Sequence, residues 1–118
     1  MTMSDDRLAL LLVRFAVAAR AHHEALAALD EVRANTHAQI VARLHEAIAR
    51  EGKAGQDRLL ALVDSDDPVV AGMAAVYSIR YSPERCVALL RRLAGEEGLL
   101  GFRARVALER WEAGEWEA

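Results

Sequence analysis

Cysteine, proline, lysine and aromatic residues are all scarce in this 118-residue chain. Each shortage closes off a class of structure. Cys86 is the only cysteine, so no intrachain disulfide can staple the fold, and a cysteine-rich zinc site is excluded. The two prolines, Pro68 and Pro83, follow Asp67 and Ser82, so both mark helix starts. Aromatics make up 5% of the chain and hydrophobic residues 53%. The apolar content is therefore mostly Ala, Leu and Val, which suits closely packed helices and not a β-sandwich. Lys53 is the single lysine, and the net charge is −3. That balance leaves no nucleic-acid footprint, and the arginine bias accords with a GC-rich genome. Long uncharged runs are also missing. The most apolar stretch, Leu8 to Ala21, is interrupted by Arg14 and Arg20 and preceded by Asp5 and Asp6. A membrane span needs about 20 apolar residues, and a signal peptide needs a basic front. The stretch reads as a buried helix of a soluble protein with no membrane partner, and the lone cysteine fits a reducing cytoplasm.

The chain does contain an echo of itself. From Leu59 it runs LLALVDSDDPVVAGMAAV, and from Leu89, thirty residues on, LLRRLAGEEGLLGFRARV. The pair Leu59-Leu60 returns as Leu89-Leu90, Val63 as Leu93, Asp66-Asp67 as Glu96-Glu97, Val69-Val70 as Leu99-Leu100, and Ala74 as Ala104. A period of this length carried by two helices is the signature of an α-solenoid.

Six helices follow from periodicity and capping. The first opens at Ser4 as N-cap, with Asp5 and Asp6 where the helix dipole favours anions. Its apolar stripe is Leu8, Leu12, Phe15, Ala19, His22 and Leu26. Asp30 can cap a second helix after a break near 28–30, although one continuous helix is the competing reading. The second helix runs to about Arg50 with a stripe of Val32, Ile40, Leu44 and Ile48, and Gly52 as its C-cap. A short third helix covers about 57–63. The fourth starts after Asp67-Pro68 and reaches about Tyr81. The fifth starts after Ser82-Pro83 and ends near Gly95 and Gly98. The sixth spans about 99–113 and stops at Gly114. The expected fold is all-α and forms one helical domain over 1–118. An N-terminal helical hairpin (1–52) precedes about two HEAT-like helix pairs (56–114), a short α-solenoid, with a tail at 115–118. The acidic run Glu112–Glu117 is expected to fray.

Three segments also carry a resemblance: ARAHHEALAALDEVRAN, LLALVDSDDPVVAGMAAVYSI followed by SPER, and the ending ERWEAGEW. In these the chain resembles a bacterial domain-of-unknown-function family of small all-helical proteins with HEAT-like repeats. The resemblance covers nearly all residues. It implies a fold and carries over no activity and no catalytic residue.

His22, His23, His37 and His45 are the best candidates for chemistry. In a hairpin turning near Leu29, His22 lies level with His37, and imidazoles on adjacent helices can bind zinc. Against a metal site stand the missing HExxH pattern and the lack of an i,i+4 His pair, so the ordinary reading is packed, hydrogen-bonded histidines. Cys86 falls in the first turn of the fifth helix, where the dipole can lower a thiol pKa. It also shares the apolar face of Val87, Leu90 and Leu93, which argues for an inert thiol. Gly95, Gly98 and Gly101 follow a helix and not a strand, so they are not a phosphate loop. No catalytic constellation and no cofactor fingerprint is legible.

The acidic corners point to partners. Asp64, Asp66 and Asp67 occupy one inter-helix turn, and Glu96 and Glu97 the equivalent turn one repeat later. Stacked repeats would align them into a rim that steers a basic partner; simple capping of helix starts is the alternative. Arg80, Arg85, Arg91, Arg92, Arg103 and Arg105, interspersed with Glu84, Glu109 and Glu112, read as solvated faces with ion pairs. Tyr77, Arg80 and Tyr81 have the composition of an interface anchor, or cover the core edge. Trp111 reads as core, and Trp116 as a clasp or an exposed anchor.

The expected function is a non-enzymatic protein-interaction module in the bacterial cytoplasm, such as an immunity or antitoxin-like protein that occludes a protein partner. The alternatives are a ligand- or metal-binding helical protein using the His22/His37 region, or a homo-oligomer built on the almost all-round apolar first helix.

Overall fold

The computed structural model describes residues 3–116. Among them are six α-helices and no strand: α1 (Met3–Ala27), α2 (Glu31–Ala49), α3 (Lys53–Ala61), α4 (Pro68–Ser78), α5 (Pro83–Ala94) and α6 (Gly98–Glu112). A 3₁₀ turn at Leu62–Asp64 follows α3. The all-α expectation is met. No helix among the described residues is long and apolar enough to cross a membrane.

The break between α1 and α2 is a local consequence of two caps. The Asp30 N–H bonds the Ala25 carbonyl at 2.9 Å and the Leu29 N–H bonds the Leu26 carbonyl at 3.1 Å, with Leu29 at φ +58°. This is a Schellman cap with a leucine in the left-handed position. Asp30 then caps α2 by accepting from the Arg33 N–H at 3.1 Å. At the other end of α2 the C-cap is Arg50, and Gly52, at φ +69°, is the N-cap of α3. Gly52 donates to the Ala49 carbonyl at 3.0 Å, so it closes the end of α2 as well as turning the chain into α3, and α3 starts four residues earlier than its periodicity suggests. Lys53 pairs with Asp57 at 2.7 Å along that extra turn. At α1, the helix already includes Ser4, so the expected cap stands within the first turn. Glu117, the end of the acidic run, lies outside the described residues.

The chain divides into two compact units, 1–62 and 63–118. In the first, α1 packs along α2, and α3 packs on both. The buried face of α1 is Leu8, Leu12, Phe15, Ala18, Ala19 and Ala25. The core line of α2 is Ala34, Val41 and Ile48, which corrects the expected stripe: Val32 is 77% exposed and Ile40 also faces outward. In the second unit, α4 packs on α5 and α5 on α6, with a smaller contact between α4 and α6. Its core is built from Val70, Met73, Ala74, Ile79, Leu89, Leu90, Leu93 and Leu108. Each fully buried side chain of the size of Ile79 or Leu90 stabilises its unit by about 1.5–3 kcal/mol. Ser78 is the buried polar residue, and no buried side-chain nitrogen or oxygen among the described residues lacks a partner.

Helix starts in the second half keep the thirty-residue spacing. Lys53 of α3 corresponds to Pro83 of α5, and Pro68 of α4 to Gly98 of α6. Leu59, Leu60, Val63, Ala71 and Ala74 are buried, and so are Leu89, Leu90, Leu93, Gly101 and Ala104.

Candidate functional site

The helix that carries the core of the first unit is apolar on a second face as well. At 100° per residue, Leu8, Leu12, Phe15 and Ala19 lie on one side of α1, and Leu10, Val13 and Val17 lie opposite them. The second set is exposed to the extent of 49%, 60% and 63%. Three apolar side chains in line on the face turned away from the core make this the candidate surface of the first unit. Sequence reasoning saw α1 as apolar almost all round but did not single out these three residues. The signal was present in the steps of three and four from Leu10 to Val17.

A second exposed apolar group sits at the hairpin tip, where Leu29 is 91% exposed beside the outward-facing Val32. Leu26, Leu29, Asp30, Glu31, Ala34 and Asn35 line an open hollow there.

The acidic corners have separate tasks. Asp64 receives Arg85 at 2.8 Å, which ties the start of α5 to the 3₁₀ turn. Asp67 caps α4 by accepting from the Val69 N–H at 3.0 Å, so the capping reading holds for it. Glu97 occupies the equivalent position before α6 but makes no side-chain cap bond. Asp66, Glu96 and Glu97 are exposed carboxylates. Arg80 and Tyr81 are exposed and Tyr77 is half-buried, just past or within the last turn of α4.

The candidates for chemistry fare differently. His22, His23, His37 and His45 are half-buried. Among the described residues no group of three or more His, Cys, Asp or Glu is placed to hold a metal ion. Burial holds the His45 imidazole below its ordinary pKa, with the Glu46 carboxylate opposing. Cys86 is completely buried, and burial pushes its thiol up to about 11 against the smaller opposite pull of Arg85. Such a thiol is protonated and inert at neutral pH, whatever the helix dipole contributes.

A small cavity of about 70 Å³ lies in the second unit, lined by Val69, Met73, Leu93, Leu100 and Arg103 among others. Desolvation lowers the pKa of the Arg103 guanidinium there. Nearby, Arg105 donates to the Ala94 carbonyl at 2.8 Å and fastens α6 to the end of α5. Trp116 stacks edge-on against Trp111, with ring centroids 6.0 Å apart and planes at 80°. It acts as a clasp of the tail on α6, and both rings are half-buried.

No protein family, curated protein or solved structure matches the chain.

Proposed function

We propose that this protein is a non-enzymatic protein-interaction module that works through the outer face of α1. The observation that carries the reading is the exposed line Leu10, Val13 and Val17, opposite the helix's buried face. An apolar helical stripe of this kind is read by another helix or by a groove that accepts one. The exposed Asp66, Glu96 and Glu97 belong to the other unit and offer a separate acidic surface. Tyr77, Arg80 and Tyr81, in the other unit, are a separate candidate contact.

Within this reading the thirty-residue echo is a HEAT-like repeat, in which α3 and α5 are equivalent first helices and α4 and α6 equivalent second helices. The equal spacing of helix starts and the matched burial support it. An immunity or antitoxin-like role in a bacterial cytoplasm is the form of the function that best suits a small acidic helical protein.

Capture of the tagged chain from its native cells tests the proposal, with Val13→Glu/Val17→Glu as control. The expected result is a stoichiometric protein partner, a second copy of the chain included, that is held by the wild type and lost from the variant. Equal recovery with both, or no partner with either, removes the reading.

A further inference from the structure

The outer face of α1 carries an order of charges as well as an apolar patch. Asp6, Leu10, Val13, Val17, Arg20 and Glu24 follow one another in alternating steps of four and three, and all six are exposed. Alternating steps of four and three are the seam of a two-helix coiled coil. The seam has an acid at its start, three apolar residues in its middle and a cation toward its end.

We infer that this face binds a second copy of the same chain, with the two α1 helices antiparallel about a two-fold axis near Val13. The inference rests on the interaction-module reading and names its partner. Charge order supplies the argument. With Val13 on the axis, Asp6 of one copy lies level with Arg20 of the other, and the symmetry makes the same pair twice. Leu10 then lies between Val13 and Val17 of the opposite copy, so the apolar centre is closed at both ends by opposite charges. A parallel pairing would set Asp6 against Asp6 and Arg20 against Arg20, which is unfavourable at both ends. Arg20 also approaches Glu24 of its own helix at 3.8 Å. That pair is solvent-exposed and weak, and the guanidinium fork can take a second carboxylate. Six apolar side chains in all make a small seam, so association depends on concentration in the micromolar range.

Sedimentation velocity of the full chain, from about 5 to 500 µM at low salt, is the primary test. The wild type moves from 13.0 kDa toward twice that mass. Val13→Glu stays monomeric throughout, with unchanged helical ellipticity and melting because the side chain is outside the core. Asp6→Arg weakens association roughly tenfold, and adding Arg20→Asp restores it. Thiol pairing checks the register, with Cys86 sealed in the core and out of reach. Val13→Cys oxidises readily to a homodimer, and a mixture of Asp6→Cys and Arg20→Cys crosslinks between the two variants in preference to either with itself. Three results each overturn the inference: a wild type at monomer mass over the whole range, a dimer that survives Val13→Glu, or Asp6→Cys that crosslinks better with itself than with Arg20→Cys. A monomeric wild type that still captures a different protein through Val13 would remove this inference and leave the interaction module standing.

Discussion

Leu29 and Gly114 stand in the same position of the same cap. At the end of α6, Glu115 and Gly114 donate to the Arg110 and Trp111 carbonyls at 2.9 and 3.1 Å, with Gly114 at φ +73°. At the end of α1 the pattern is identical, but the left-handed residue is Leu29. A Cβ in that conformation costs about 1–2 kcal/mol, and the Leu29 side chain is 91% exposed, so it recovers little by packing. Leu29→Gly should therefore raise stability by about 1 kcal/mol net of the extra backbone entropy glycine loses on folding. Chemical denaturation measures it; a loss of stability would mean that the leucine packs in a way its exposure does not show. Cys86 gives a second residue-scale expectation. Below about pH 9 the thiol is protonated in both folded and unfolded chains and has no pH effect. Between there and about 11 the unfolded thiol ionises while the folded one does not, so stability falls as pH rises. Cys86→Ala should lack that component of the alkaline decline; an equally steep fall in the variant would assign it elsewhere. Features like the Asp30 and Asp67 caps were legible in the sequence because donor and acceptor lie two or three residues apart. Leu29 was not, because nothing in its side chain announces a positive φ.

Elements are where pattern reading succeeded for α1, α5 and α6 and slipped for α2. Its large apolar residues divide between two faces, and the face that packs is the one with Ala34, Val41 and Ile48. A helix partner that must come close selects small side chains, and alanine weighs little in a count of hydrophobic positions. The same closeness decides what two glycines do. A Cβ on Gly55 would run into the Ile48 carbonyl, and one on Gly101 into the Glu96 carbonyl. Both are backbone atoms at the close of the preceding segment, so neither can swing aside. Gly55→Ala and Gly101→Ala should each cost about 2–4 kcal/mol, read from denaturation midpoints. Gly95→Ala is the control: its Cβ would meet the Arg92 carbonyl only at 3.4 Å, in ordinary right-handed backbone, so stability should hold or rise slightly. A neutral Gly101→Ala would show that the start of α6 can shift outward freely. Nothing in the sequence says which glycine faces a carbonyl, since that depends on how the incoming chain crosses.

Whole-molecule organisation is the scale at which sequence and structure make different forecasts. The thirty-residue echo, which begins at Leu59, groups α3 with α4, α5 and α6 as two helix pairs behind an N-terminal hairpin. The division at 62/63 instead groups α3 with α1 and α2, and leaves α4, α5 and α6 around a core of their own. Periodicity could not reveal that grouping, because a repeat specifies which side of a helix is apolar and not which neighbour covers it. The chain carries the means to decide. Its two tryptophans, Trp111 and Trp116, both lie in the second unit and in contact with each other, so intrinsic fluorescence reports that unit alone. Far-UV ellipticity draws on both units, and its larger share comes from α1, α2 and α3 of the first. A unit of about 60 residues buries a smaller share of its surface than one of twice the length and has correspondingly less stability to spare. If each core melts for itself, the fluorescence and ellipticity transitions in urea should separate, and Gly101→Ala should move the fluorescence midpoint much further than the ellipticity midpoint. Coincident transitions, shifted together by Gly101→Ala, would show that the two cores fold as one and that the repeat outweighs the division.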